Sequence, residues 1–265
     1  MHRIRQSPYD LEIAGEVPGL RAGDAGFLRW SDLRRLPQVS GVVDDDPDLP
    51  GLVMKITGVR LDVLAKALGV GAAVDLLDAL CSDGYRAYYP RELIAAHQPL
   101  LVLTMDGMTP AAWAAKTKQD DPGPYLILYR GFRPAWRVLS HADRPQLPSN
   151  VVRLNFGRQV EAWRAVEPGA AASLEASQGY QIARQNCVRC HAAGATGGTK
   201  SKFTWADLAR DARQRPAWFA TYVAAPKKIS PQATMPGEPG YDAATLGALT
   251  AYFKNTSSSV EGRER

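Results

Sequence analysis

Cysteine is scarce in this chain. Three residues of 265 carry a thiol, Cys81, Cys187 and Cys190. A zinc site built on Cys187 and Cys190 would need a second pair of soft ligands, and Cys81 lies more than a hundred residues upstream. Long apolar runs are missing as well. No stretch approaches the run of about 18 apolar residues expected of a membrane helix, so no integral membrane segment is expected. The opening residues, Met1-His2-Arg3-Ile4-Arg5-Gln6, lack the apolar core of a signal peptide. There is no basic run and no recognition motif, and the net charge is a modest +5, so nucleic acid is not the expected partner. The 45% apolar fraction belongs to an ordered globular chain, and the length suits two domains.

Against that background one string stands out, Cys187-Val188-Arg189-Cys190-His191. C-x-x-C-H is the attachment sequence of a c-type haem: two thiols add across the vinyl groups and the adjacent histidine becomes an axial iron ligand. A thioredoxin-like dithiol would give no reason for the trailing histidine. One covalent haem c is therefore expected on Cys187 and Cys190, with His191 on the iron. The opposite ligand of such a haem is usually methionine, whose thioether raises the reduction potential. Met235 lies in a Pro-rich stretch between two helical segments, where a side chain can be offered to the open face. Lys227, Lys228, His141 and Met105 are weaker candidates for that position. Since c-type haem is attached outside the bacterial cytoplasm, a periplasmic protein is expected, read here as a mature form whose leader has been removed.

The residues from Gly179 to His191, and again from Leu249 to Lys254, resemble the first and last helices of class I cytochromes c. Leu246, Leu249, Thr250 and Phe253 share one helical face, which Asp242 can cap. The resemblance implies that these two helices cross at Gly179 against Tyr252. It also implies a proline carbonyl behind the axial histidine, yet no proline lies between His191 and Trp205. Another backbone carbonyl must then accept the His191 N–H. Residues 172–257 hold ten Lys/Arg against five Asp/Glu, a basic excess that can steer an acidic redox partner.

The first 165 residues read differently. Apolar strand-like pieces (Leu11–Val17, Leu100–Met105, Tyr125–Tyr129) alternate with short helices at Ser31–Pro37, capped by Ser31, and at Arg60–Gly69. The pattern is α+β. In order and spacing, Trp30-Ser31-Asp32-Leu33, Gly58-Val59-Arg60-Leu61, Ser82-Asp83-Gly84-Tyr85, Met105-Asp106-Gly107 and Pro124–Leu128 resemble the molybdopterin-binding domain of the sulfite oxidase family, over about residues 9 to 135. That family binds molybdenum through a cysteine thiolate in the interval that here runs from Gln38 to Thr57, and the interval contains no cysteine. The resemblance therefore implies a cofactor-free relative, without molybdopterin.

The expected architecture is two domains: an α+β sulfite-oxidase-like domain over 1–165, a linker over 166–174, an all-α class I cytochrome c domain over 175–257, and a disordered tail over 258–265. The expected function is single-electron transfer through a His191/Met235-ligated haem, with the first domain as a docking or structural module for a redox protein partner, such as a periplasmic oxidoreductase. The alternatives are a haem–molybdenum oxidoreductase of the sulfite oxidase type and a haem sensor in which Met235 gives way to a gas. Cys81 reads as a buried thiol at a strand end, Asp44–Asp48 as a solvated acidic loop, and His97 and His141 as ordinary surface or core residues.

Overall fold

The structure is a computed structural model that describes residues 1–44 and 51–256. Asp45, Asp46 and Asp48 of the acidic loop, and the expected tail at 258–265, lie outside the described residues. The chain gathers into two compact units, one of residues 1–133 and 144–161, the other of residues 134–143 and 162 onward. Among the described residues no helix is long and apolar enough to cross a membrane.

In the first unit, strands and helices follow in chain order as β1 (Leu11–Gly15), β2 (Ala25–Leu28), α1 (Trp30–Arg34), β3 (Val39–Val43), β4 (Met54–Arg60), α2 (Leu61–Ala67), β5 (Leu76–Cys81), β6 (Arg86–Pro90), α3 (Arg91–His97), β7 (Leu100–Met105), α4 (Pro110–Thr117) and β8 (Leu126–Leu128). After β9 and β10 of the other unit, β11 (Val151–Gly157) returns to this one. Two sheets result, β2-β1-β11-β5-β6 and the antiparallel β3-β4-β7-β8; β1 and β11 are the parallel pair. Alternation sets which side chains go inward: Leu11 and Ile13 are buried while Glu12 pairs with Arg153 at 2.7 Å. One apolar cluster joins residues of both sheets, including Leu11, Ile13, Leu101 and Ile127. A second packs the other face of β7, through Leu100 and Val102, against Trp113 of α4. Buried on both faces, β7 is apolar almost throughout, which is why it reads so clearly in the sequence.

Local chemistry shifts some boundaries. The expected serine cap of α1 is replaced: the helix begins one residue earlier, and Asp32 Oδ2 accepts the Arg29 backbone N–H at 3.0 Å. Cys81 closes β5 as a buried residue.

The second unit holds β9 (Arg137–Val138) and β10 (His141–Ala142), the helix α6 (Leu174–Asn186), a 3-10 turn at Cys187–Arg189, and α7 (Trp205–Gln214), α8 (Pro216–Ala224), α9 (Pro226–Ile229) and α10 (Ala243–Asn255). The short α5 (Gln159–Trp163) carries the chain into it. Caps define the main helices: the Ser173 side chain accepts from Ala176 N, Thr204 from Asp207 N, and Asp242 from Thr245 N. Helices α6 and α10 cross at Gly179, where a Cβ would stand 2.0 Å from the Ala248 carbonyl oxygen and 2.8 Å from Tyr252 Cβ. Only a residue without a side chain fits there. Trp205, Phe219, Tyr252 and Phe253 fill the space beside the crossing, with Trp205 and Phe253 ring centres 4.9 Å apart.

The expected fold class is corrected by this arrangement. The chain is mixed α/β, 34% helix and 22% strand, and no separate all-α cytochrome c domain is evident. The helical unit is neither all-α nor continuous in the chain, because residues 134–143 enter it as the β9–β10 hairpin. The physical reason is a buried amide. Gln185 of α6 is 9% exposed, and it bonds His141 at 2.6 Å and Asp143 at 2.6 Å, both from the hairpin segment. An all-α bundle would leave that amide buried without them, at a cost of about 1–3 kcal/mol.

Candidate functional site

Helix α6 delivers the two thiols. Its last turn tightens into the 3-10 turn Cys187–Arg189, and both Cys190 N–H (3.2 Å) and His191 N–H (3.0 Å) donate to the Cys187 carbonyl. That double acceptance folds Cys187, Cys190 and His191 into a single turn. Neither cysteine is in a disulfide, and each is half-buried. Desolvation pushes the Cys187 thiol up to about 12, with Glu238 and Cys190 adding to the effect, so it stays protonated at neutral pH.

His191 is buried, 8% exposed, and its Nδ1 lies 2.7 Å from the Phe203 carbonyl oxygen. A carbonyl only accepts, so the proton sits on Nδ1 and the lone pair on Nε2. Burial lowers the His191 pKa below its ordinary value, against the opposing pull of the Phe203 carbonyl and Asp207. The imidazole is therefore neutral at neutral pH, which is the form that ligates a metal. The backbone carbonyl required in place of the absent proline is that of Phe203, held where the chain enters the Thr204 cap of α7; Trp205 N–H donates to Ala192 O at 2.8 Å just beyond.

Met235 sits, half-buried, in the irregular segment between α9 and α10. Three residues on, Glu238 N–H donates to Val223 O of α8 at 3.0 Å. The Glu238 carboxylate also accepts from Asn186 Nδ2 at 3.2 Å, and Asn186 immediately precedes Cys187. The segment carrying Met235 is thus tied to the end of the helix that presents the thiols. Of the weaker ligand candidates, Met105 belongs to an apolar cluster of the first unit, Lys227 and Lys228 are exposed on α9, and His141 has both ring nitrogens in hydrogen bonds.

No protein-family profile and no curated protein matches the chain. Among solved structures it is similar to the crystal structure of the sulfane dehydrogenase SoxCD from Paracoccus pantotrophus, at 20% identity and a TM-score of 0.41, covering 61% of this chain. The match spans 42% of that chain, about two-fifths of its length.

The residues present fit a covalently held haem by the chemistry of the donor set. Two thiols outside any disulfide, one turn apart, are followed by a buried neutral imidazole whose outer nitrogen is already committed to a carbonyl. Among the described residues, no group of three or more His, Cys, Asp or Glu side chains converges to hold a bare metal ion. Sequence reasoning named His141 as a weaker ligand candidate and an ordinary surface or core residue, but did not place it beside this turn. His141 is fully buried, and it links Tyr241 (2.7 Å) to Gln185 (2.6 Å). Its only sequence signal was a histidine between two short polar stretches, with no ligand partner at any recognisable spacing.

Proposed function

We propose that the chain is a periplasmic electron-transfer protein in which Cys187 and Cys190 would hold one haem c and His191 and Met235 would ligate its iron. The single observation that carries this reading is the half-buried C-x-x-C-H turn whose buried His191 has Nδ1 fixed on the Phe203 carbonyl. When bound, the group supplies one-electron chemistry, its iron passing between ferrous and ferric states. The chain's own residues bind and orient it. Cys187 and Cys190 supply thioether sulfurs, and the Phe203 carbonyl holds the imidazole in one tautomer and raises its basicity as a ligand. Trp205, Tyr252 and Phe253 keep water from the helix crossing behind the turn. The Lys/Arg excess after residue 172 favours encounter with an acidic partner, a redox protein such as a periplasmic oxidoreductase. The first unit, which has no cysteine among residues 38–57, serves as a docking or structural module without molybdopterin.

The test is the molybdenum-to-iron ratio of the full chain matured in a molybdenum-replete host with haem attachment, together with denaturing electrophoresis stained for haem. One covalent haem iron and negligible molybdenum is the expected result. Near-equal molybdenum and iron would overturn it in favour of a haem–molybdenum oxidoreductase. Absence of covalent haem would overturn it altogether.

A further inference from the structure

The segment from Met235 to Tyr241 contains prolines at 236 and 239 and no regular structure. The position of Met235 therefore depends on where the segment is anchored. One anchor is Asn186, whose Nδ2 donates to Glu238 Oε1 (3.2 Å) and to the Tyr241 hydroxyl (2.6 Å). Behind Tyr241 lies a buried relay whose direction is set at its far end. The Asp143 carboxylate only accepts, so the Gln185 NH₂ faces it, at 2.6 Å. The Gln185 oxygen then faces His141 Nε2 at 2.6 Å, which makes Nε2 the protonated nitrogen. Nδ1 is left as an acceptor and takes the Tyr241 O–H at 2.7 Å. With its proton spent on His141, the Tyr241 oxygen is oriented to receive Asn186. His141, Asp143 and Gln185 are all buried, and each link determines the next.

We infer that His141 and Tyr241 are positioning residues that hold the Met235 segment against the haem-attachment turn, so that the β9–β10 hairpin governs the sixth ligand. This rests on the reading of Met235 as an axial ligand. The hairpin comes from a part of the chain that the haem motif does not include, and the relay joins three separate segments around the residue next to Cys187. Loss of the Tyr241 hydroxyl frees Asn186 and His141 from each other and loosens the Met235 segment, which keeps its Asn186–Glu238 bond, without removing any apolar contact.

The experiment uses the full haem-loaded chain. The ferric protein is examined for the methionine–iron charge-transfer band, and the ferrous protein for carbon monoxide binding and midpoint potential. Tyr241→Phe, and separately Asn186→Ala should the first fail to fold, are expected to weaken the band, lower the potential and raise the carbon monoxide-binding fraction by roughly tenfold, the shift that one lost buried hydrogen bond produces. His141→Gln, which can still donate to Gln185 and accept from Tyr241, is expected to retain the native band. Thr245→Val cuts the Ser140 bond of the hairpin (2.6 Å) but not the relay, so it lowers the melting temperature and leaves the band intact. Native spectra in Tyr241→Phe and Asn186→Ala would overturn the inference while sparing the ligand assignment, as would equal loss in Thr245→Val. If Met235→Ala leaves the wild-type spectrum unchanged, the ligand assignment itself fails, and the inference falls with it.

Discussion

Two glycines lie within helices of the second unit, and they are expected to respond to the same substitution with opposite signs. Gly179 belongs to α6 and Gly247 to α10. Replacing either with alanine raises helix propensity by about 1 kcal/mol. At Gly247 a new Cβ meets only the far end of Glu175, at 3.1 Å from Oε1, and that flexible side chain can turn away. At Gly179 the new Cβ lies 2.0 Å from the Ala248 oxygen and 2.5 Å from its carbon, both backbone atoms. Ordinary contact begins near 3.4 Å, so α6 and α10 must part by about 1.4 Å. Overpacking of a well-fitted core costs about 1–3 kcal/mol, and backbone against backbone belongs at or above the upper end. Gly179→Ala is thus expected to lose about 2 kcal/mol net, and Gly247→Ala to gain up to about 1 kcal/mol. For a unit of this size, each kcal/mol corresponds to roughly 4–8 °C in melting temperature. Thermal unfolding of the full chain, followed by far-ultraviolet circular dichroism and tryptophan fluorescence, reads both variants against wild type. A Gly179→Ala protein as stable as Gly247→Ala would refute the steric reasoning at the crossing.

Three further outcomes are expected. On the proposed haem attachment, Cys187→Ala or Cys190→Ala would leave one thioether link in place of two, visible as a red-shifted pyridine haemochrome; an unshifted spectrum would remove that cysteine from the attachment site. In the apoprotein, His191 holds its proton less tightly folded than unfolded, where the value is 6.5. The unfolded chain then takes up the proton first, so the stability His191 contributes is present above about pH 6.5 and is lost as the pH falls through its folded value. Melting temperature measured from pH 8 to pH 5 is expected to fall less steeply in His191→Phe than in wild type, and an equal slope would contradict this. Ser173→Ala removes the cap of α6, whose side chain accepts from Ala176 N at 3.1 Å, and is expected to cost about 1 kcal/mol in chemical denaturation.

What could be read from the residues alone tracks how local the determining physics is. Strand β7 coincides with the apolar run Leu100–Met105 because both of its faces are buried. The Asp242 cap emerged as expected because a cap depends on the next three residues. The C-x-x-C-H string stands out because it is complete within five positions. The α1 cap was misplaced, since Asp32 caps by reaching back to the Arg29 N–H rather than by preceding the helix. The all-α expectation for residues 175–257 failed for a non-local reason. Strands of two residues, Arg137–Val138 and His141–Ala142, carry no periodicity, and the contacts that place them span 44 residues from His141 to Gln185 and 100 from His141 to Tyr241. His141 looked ordinary because its partners come from distant segments.

The interleaved path of the second unit has a bearing on biosynthesis. Residues 134–143 leave the ribosome well before α6 and α10, whose Gln185, Asp242 and Thr245 receive them. The hairpin can complete its bonds from His141 and Ser140 only once those helices are present. A fragment begun near residue 166 would be born without it. The helical segment is therefore not a cassette that could be cut out or transplanted by its C-terminal sequence alone, because a stretch of ten residues from upstream travels with it.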